Sequence, residues 1–248
     1  MYASKVVLAV FCLLSLSTAS LAQTVAENKP PSEENSTDSG DGSKRPEFGW
    51  RFPRGAKEWG FEFGYAPMQP TFFSGRKEYD TDGRRFAMTT FRFGRVIGTV
   101  KNVTYEYLFE VMPVAFAINN EVKNPDLKRK PETETLDMPR TVRTTTYGIG
   151  IQPAAFRFIF LPRKRVKPFV KLSAGFLFTS KPIPMPGSPN YNFAGDFGGG
   201  LMVSLTREKV MSFGYRYFHI SNMNIGEINP GYNANMFFVG FSNVRKSR

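Results

Sequence analysis

The sequence predicts an all-β fold, an eight-stranded antiparallel up-and-down transmembrane β-barrel. Apolar residues alternate with small or charged ones at a period of two in successive segments, which is typical of strands with one buried face. Beyond the N-terminus, no apolar run is long enough for a transmembrane helix. The predicted connections alternate between long and short, as they do in barrels that cross a membrane.

The composition favours β structure. The chain has 248 residues, with 25 Phe and 22 Gly, and this length suits one barrel or sandwich. Its mean hydropathy of -0.30 resembles that of a soluble protein. A transmembrane barrel has a similar value because only alternate residues face lipid.

The N-terminus predicts export. Residues 1–22 have the features of a signal peptide: Lys5, an apolar stretch at 6–16 that is too short to span a membrane, and the small residues Ser20 and Ala22 before a cleavage site. Residues 23–56 are predicted to be a flexible polar segment, and 57–248 the barrel. The single cysteine, Cys12, lies in the signal, so the mature chain has no thiol for a disulfide or metal site.

The period-two pattern predicts eight strands, at 58–65, 84–95, 103–111, 145–160, 167–179, 192–206, 209–221 and 234–242. Within the fourth, the alternation changes parity at Pro153, which predicts a bulge. The longer connections are 67–83, 118–142, 180–191 and 222–233. The shorter ones are 96–101, 161–166 and 207–208, and they predict the periplasmic end.

The distribution of charge between the two faces favours a membrane barrel over a soluble one. One face is broadly aromatic, and the other carries charged residues, namely Glu62, Arg92, Glu106, Glu110, Asp196 and Arg216. A soluble lipocalin-like carrier, which stays an alternative, would place apolar residues inside. Against the membrane interpretation, the chain continues past Phe241, whereas many outer-membrane barrels end on an aromatic residue.

The net charge of +12 does not indicate a nucleic-acid partner. The Lys and Arg residues are spread over turns and loops and form no recognisable binding motif. With an export signal, a basic surface suits contact with anionic lipid head groups.

The only histidine, His219, lies near the outer end of the seventh strand. Ser221 follows two residues later, so both side chains point to the same, predicted lipid-facing side. A neutral imidazole beside a hydroxyl can act as general base and activate it as a nucleophile. The alternative is that the pair belongs to a polar-aromatic girdle, but polar groups are costly on a lipid-facing wall.

The residues around this pair form the string 215–224, YRYFHISNMN, followed by NPGYN at 229–233. Over about 215–242 the chain resembles the lipid A 3-O-deacylase (PagL-like, acyloxyacyl hydrolase) family of outer-membrane β-barrels. The resemblance implies an esterase that acts on lipid A of lipopolysaccharide in the outer leaflet. It implies Ser221 as nucleophile, His219 as general base, and an oxyanion hole from Asn222 and the backbone of Asn224. No metal or cofactor is implied.

The chain departs from the family at the third member of the triad. The family's glutamate corresponds to Asn233, which can orient an imidazole but cannot stabilise imidazolium by charge. Glu227 is the alternative acid. A register that pairs Ser221 with Asn233 would pair His219 with Asn235. A structural or adhesive barrel without catalysis therefore stays an alternative function, and the sequence leaves open whether the protein forms a homodimer.

Overall fold

Eight antiparallel strands pair in chain order, and the first also pairs with the last, so the sheet closes into a barrel. The computed structural model describes residues 53–67, 81–135 and 137–245. The strands are β1 (Lys57–Ala66), β2 (Arg85–Val100), β3 (Val103–Lys123), β4 (Thr141–Phe160), β5 (Val166–Thr179), β6 (Tyr191–Ser204), β7 (Lys209–Ser221) and β8 (Tyr232–Arg245). The predicted signal peptide, and the predicted flexible segment up to residue 52, lie outside the described residues.

The predicted strands are all present, and the main difference is their length. β7 has the predicted bounds, whereas β3 continues to Lys123, twelve residues past the alternation at 103–111 and into the connection that was predicted to begin at 118. Beyond that point the sequence no longer alternates cleanly between apolar and polar residues. The extension pairs with the start of β4, where Val122 lies opposite Val142. Backbone pairing therefore continues where the side-chain pattern has faded.

The predicted bulge at Pro153 is confirmed. The register between β4 and β5 shifts between Ile151 and Ala154. Proline has no N–H to donate to a neighbouring strand, so it is tolerated where the ladder is interrupted. The carbonyl of Pro153 accepts a hydrogen bond from the Tyr107 hydroxyl at 2.5 Å.

The loop between β3 and β4 contains a short 3₁₀ helix, Pro125–Lys128, and a single α-helical turn, α1 (Glu132–Thr135). Asn124 caps the 3₁₀ helix by accepting a hydrogen bond from the Asp126 backbone at 3.1 Å. In residues 53–67, 81–135 and 137–245, no helix is long and apolar enough to cross a membrane.

The outer wall of the barrel is apolar and aromatic. Along β1, the alternate residues Trp59, Phe61 and Phe63 are each about half exposed, whereas Glu58 and Glu62 between them are buried. The wall continues around the barrel through other exposed apolar side chains, namely Phe91, Phe93, Tyr147, Ile149, Phe178, Phe197 and Phe237. This distribution is the reverse of that in a soluble barrel, and it confirms the predicted transmembrane barrel.

The interior is filled by ion pairs. Arg92 lies at their centre, with its guanidinium 2.5 Å from Glu62 and 2.9 Å from Glu110. Lys171 contacts Glu110 at 2.7 Å, and Arg216 contacts Glu62 at 2.8 Å. A second group joins Arg157 to Glu58 and Glu106. Buried charges are tolerated only when paired, so each of these side chains depends on its neighbours.

Glycines in β6 make room for this interior. A Cβ added at Gly198 would lie 2.7 Å from the Cβ of Arg216 and would overlap the backbone of β7. The predicted strand containing the triple glycine 198–200 therefore passes close to β7, and the large Arg216 side chain fills the space.

An apolar cluster closes the interior towards the long-loop end. Phe86, Phe218 and Tyr232 stack together, with the centres of the Phe86 and Phe218 rings 5.4 Å apart. Ile183, from the loop between β5 and β6, is buried in the same cluster. The loop is also held by Arg84, whose guanidinium donates a 2.5 Å hydrogen bond to the Pro184 carbonyl. The outer end of β7 thus rests on a packed apolar layer.

The two ends of the barrel differ as predicted. β2–β3, β4–β5 and β6–β7 are joined by short turns, and the other four connections are longer. β1 begins at the short-turn end, and β8 ends there. Residues just before β1 also attach there, because Gly55 N–H donates to the Val96 carbonyl at 2.8 Å and Val96 N–H donates to Ala56 at 2.9 Å.

Replacement of Arg92 by methionine is expected to lower the free energy of unfolding by about 3–5 kcal/mol, because it leaves Glu62 and Glu110 buried without this partner. Arg85→Met is the matched control: it lies on the same strand but is exposed, and its expected effect is within about 0.5 kcal/mol. Urea unfolding of the barrel in lipid vesicles would measure both. Equal stability of the two variants would contradict the role assigned to the network.

Candidate active site

The end of β7 carries His219 and Ser221 to the outer wall. The residues that alternate with them, Phe218 and Ile220, are buried in the apolar cluster at the long-loop end. Because successive side chains of a strand point to opposite faces, burial of these two directs His219 and Ser221 outward. Both are partly exposed on the apolar wall.

His219 is held by Asn233. The two residues are direct partners across β7 and β8, and His219 Nδ1 lies 2.6 Å from Asn233 Oδ1. Since an amide oxygen only accepts, this contact places the hydrogen of the neutral imidazole on Nδ1. Nε2 then carries the free lone pair that a general base needs.

The predicted register between β7 and β8 is wrong by two residues. His219 pairs with Asn233, and Asn235 pairs with Tyr217 rather than with His219. Asn235 instead accepts a hydrogen bond from the Tyr215 hydroxyl. A shift of two keeps every side chain on its face, so the alternation of apolar and polar residues cannot detect it. The long loop between these strands does not fix the register either.

The Ser221 hydroxyl contacts Asn229. Ser221 Oγ lies 3.2 Å from Asn229 Oδ1 and accepts from Asn229 Nδ2 at 3.1 Å. The backbone N–H of Met223 also donates to Ser221 Oγ, at 3.2 Å. Among the described residues, Ser221 forms no hydrogen bond with His219. Hydrogen bonds between catalytic groups are often formed only in the substrate complex, and a χ1 rotation would redirect the hydroxyl.

Asn222 and Asn224, the expected oxyanion donors, are used to shape the loop. The Asn222 amide donates to the Ile228 carbonyl at 2.6 Å, and its oxygen accepts from Asn224 N–H at 2.8 Å. The Asn222 backbone N–H donates to Asn229 at 3.1 Å. Met223 and Asn224 have φ values of 52° and 65°, a left-handed turn in which asparagine is better tolerated than most residues.

Glu227, the alternative acid, is exposed in the same loop. Its carboxylate lies next to Gly187 of the neighbouring loop, while Asn233 occupies the position beside the His219 ring. The structure therefore brings Asn233, and not Glu227, to the imidazole.

Asn229 is the site residue that sequence reasoning missed. It lies in the string 229–233 that carried the family resemblance, but no role was predicted for it. Its contact with Ser221 depends on the loop folding back over eight residues, which a strand pattern does not describe. The Asn-Pro-Gly order was the available signal, because it is typical of a tight change in chain direction.

The wall beside His219 is open on one side. Gly195 of β6 is the direct partner of His219 on that side, and a Cβ built there would meet only the Ser173 carbonyl within 4 Å. Phe193 lies opposite Ser221, and the Phe197 and Tyr217 rings are 5.6 Å apart just below the site. The space over Gly195, next to His219, therefore lies on the apolar surface between aromatic side chains.

The described residues contain no group of three or more His, Cys, Asp or Glu side chains that could hold a metal ion. The polar groups that meet at the site are a neutral imidazole, a hydroxyl and amides. Such a set can perform proton transfer and nucleophilic attack on an acyl carbon.

Comparison with known proteins gives one family match. The family model described as Lipid A 3-O-deacylase (PagL) matches residues 121–242. No curated protein gives a significant match to the chain.

Solved barrels are also similar to this chain. The crystal structure of the outer membrane enzyme PagL is 13% identical, with 74% of this chain and 97% of that chain covered and a TM-score of 0.46. Neisserial surface protein A (NspA) is 13% identical, with 77% and 99% covered and a TM-score of 0.41. Ail, the attachment invasion locus protein of Yersinia pestis, is 9% identical, with 77% and 99% covered and a TM-score of 0.41.

An eight-stranded barrel fold does not by itself specify a function. The functional resemblance depends on the family model instead. The resemblance to the lipid A 3-O-deacylase family is confirmed by that match, and the matched residues include His219, Ser221 and Asn233.

Proposed function

We propose that this protein is a serine-type carboxylic ester hydrolase of the outer membrane that removes an ester-linked acyl chain from lipid A. The observation that carries the proposal is the His219–Asn233 hydrogen bond next to Ser221, on the apolar outer wall of a transmembrane barrel. The match of residues 121–242 to the deacylase family supports the choice of substrate.

The first step is attack of Ser221 Oγ on the ester carbonyl carbon. For this the hydroxyl rotates from Asn229 towards His219, whose Nε2 takes the proton as the new C–O bond forms. Asn233 keeps the other ring proton on Nδ1 and so fixes the orientation of the imidazole. His219 then gives this proton to the departing sugar oxygen as the ester bond breaks, which leaves an acyl-serine and a free sugar hydroxyl.

The second step reverses the first with water as the nucleophile. His219 removes a proton from water, which attacks the acyl-serine. Ser221 leaves with a proton from His219, and the fatty acid is released into the surrounding bilayer. The two steps together consume only the lipid ester and water, so no cofactor enters the proposed reaction.

The oxyanion is stabilised at the position that Ser221 Oγ vacates. Two donors, the Met223 N–H and Asn229 Nδ2, already converge there, at 3.2 Å and 3.1 Å from Oγ. Donors fixed in advance around developing charge are a major source of rate acceleration. Participation of Asn222 or Asn224 would require exchange of the hydrogen bonds that hold the loop.

The proposed localisation follows from export and from the barrel. Residues 1–22 would direct the chain across the inner membrane and be removed, and the segment from 23 would lie in the periplasm before β1. The long-loop end, with His219 and Ser221, would then face the outer leaflet, where the lipid A esters lie.

A non-catalytic barrel that binds through its loops is the second candidate. It is favoured by the contact of Ser221 with Asn229 and by asparagine at the position of the family's glutamate. A soluble carrier is disfavoured by the exposed aromatic wall.

Ser221→Ala is expected to abolish release of an acyl chain, because no other group at the site can form the acyl intermediate. Mass spectrometry of lipid A from membranes with fully acylated lipid A would measure the loss of one chain. Ser212→Ala, on the same strand but buried in the interior, is the matched control and should retain activity. If the unaltered, folded barrel leaves lipid A unchanged, the non-catalytic candidate is favoured.

Asn233→Asp is expected to raise kcat about tenfold. The replacement keeps an oxygen in place beside Nδ1 and adds a charge that stabilises the imidazolium, and a charged hydrogen bond is stronger than a neutral one by roughly 1 kcal/mol. Asn235→Asp, on the same strand and face, is the control and should change kcat little. A rate unaltered by Asn233→Asp but altered by the control would contradict the assigned positions.

Asn229→Ala is expected to lower kcat by about 10²–10³ if its amide stabilises the oxyanion. Asn224→Ala is the control. It keeps the backbone N–H of residue 224 and tests whether loss of another side chain from the same loop has a comparable effect on kcat. Single-turnover hydrolysis in lipid bilayers would separate kcat from substrate binding. A change confined to KM would mean that Asn229 only shapes the loop.

A further inference from the structure

The exposed charges of the barrel are strongly asymmetric. Around the short turns and the strand ends there, the described residues include ten exposed cations, namely Arg54, Lys57, Arg95, Lys101, Arg163, Lys164, Arg165, Arg207, Lys209 and Arg245. Glu208 is the one exposed acid among the described residues of this end. At the long-loop end, acidic and basic side chains are mixed. The cations are therefore concentrated away from His219 and Ser221.

Three of these cations form a row across neighbouring strands. Lys57 of β1 is the direct partner of Arg95 on β2 and also of Arg245 on β8. All three side chains are exposed on the outer surface. Like charges at directly opposed positions destabilise a sheet. An anion that lies against the row would relieve this repulsion.

A cavity lies next to the row. It has a volume of about 360 Å³ and is lined by Arg54, Gly55, Arg95, Val96, Ile97 and Tyr107. Two guanidinium groups thus border a space whose other walls are apolar or aromatic. Ile97 is about half exposed and continues into the apolar outer wall. The space combines a cationic rim with a surface suited to hydrocarbon.

We propose that Arg54, Lys57, Arg95 and Arg245 bind the phosphate of an anionic phospholipid at the short-turn end of the barrel. The site contacts the leaflet opposite to the one that contains the proposed substrate. Arginine forms paired hydrogen bonds with phosphate oxygens, and lysine adds a positive charge. The apolar wall beside the cavity accepts the upper part of an acyl chain, which a free phosphate lacks.

The site is independent of the deacylase reaction. Its residues lie at the other end of the barrel from Ser221, and none belongs to the proposed catalytic group. Its expected effect is to fix the barrel's depth and to hold a particular class of lipid against β1, where the strand closes on β8.

The test is native mass spectrometry of the full chain, released from mixed micelles with phosphatidylglycerol or phosphatidylcholine. Phosphatidylglycerol is expected to stay bound, and the combined change Lys57→Gln, Arg95→Gln and Arg245→Gln should weaken its binding by at least about tenfold. The matched control removes the same charge from the same end through Lys101→Gln, Arg163→Gln and Lys164→Gln, and should retain binding within about twofold.

Three results would overturn the proposal. Equal retention of the two lipids would remove the charge preference. An equal loss of phosphatidylglycerol binding in the two triple variants would mean that the basic end attracts anionic lipid in general and has no specific site. Displacement of phosphatidylglycerol by inorganic phosphate at equal concentration would assign the cavity to a free anion. Lipid A hydrolysis by each variant would be measured in parallel, and it is expected to be unchanged because the site does not depend on catalysis.

Discussion

The pairing of charges around Arg92 is the interaction on which the structure most depends. A closed sheet of eight strands has room inside for side chains only. The period-two pattern of β1, β2, β3 and β6 sends six charged side chains to that interior, namely Glu58, Glu62, Arg92, Glu106, Glu110 and Asp196. Arg92 neutralises part of this buried charge, because its guanidinium lies within 3 Å of Glu62 and of Glu110. With the charges satisfied inside, the outer face can be apolar over its whole circumference. The same alternation therefore produces a filled lumen and a lipid-facing wall.

The proposed active site is an exception to that division. On β7, Phe218 and Ile220 take the buried positions, so the imidazole and hydroxyl are forced onto the apolar wall. A polar pair there is costly unless its hydrogen bonds are satisfied by neighbours. Asn233 satisfies His219, and Asn229 satisfies Ser221. In the proposed reaction, these same hydrogen bonds would be partly exchanged for bonds to the ester carbonyl of the substrate.

The parts of this molecule that follow from a period of two could be predicted from the sequence. They include the barrel, the bulge at Pro153 and the common face of His219, Ser221 and Asn233. The register of β7 on β8 could not be predicted, because a two-residue shift leaves the faces unchanged. The role of Asn229 depends on the path of a loop, and the row formed by Lys57, Arg95 and Arg245 depends on strand partners far apart in sequence. Long-range pairing is the information that a local pattern lacks.

Asparagine at position 233 changes what the site can do chemically rather than how it is built. Its oxygen holds Nδ1 at 2.6 Å, so the tautomer and the ring direction expected of a triad are retained. The imidazolium that forms during attack would have no adjacent negative charge to stabilise it. In the proposed reaction more of the barrier must therefore be lowered by donors to the oxyanion, and the Met223 N–H and Asn229 amide are already gathered at one point. Orientation and oxyanion binding alone are known to sustain a part of the catalysis of such sites. The proposed esterase would therefore be slow, and its proposed substrate, fixed in the same membrane, would be present at a high local concentration.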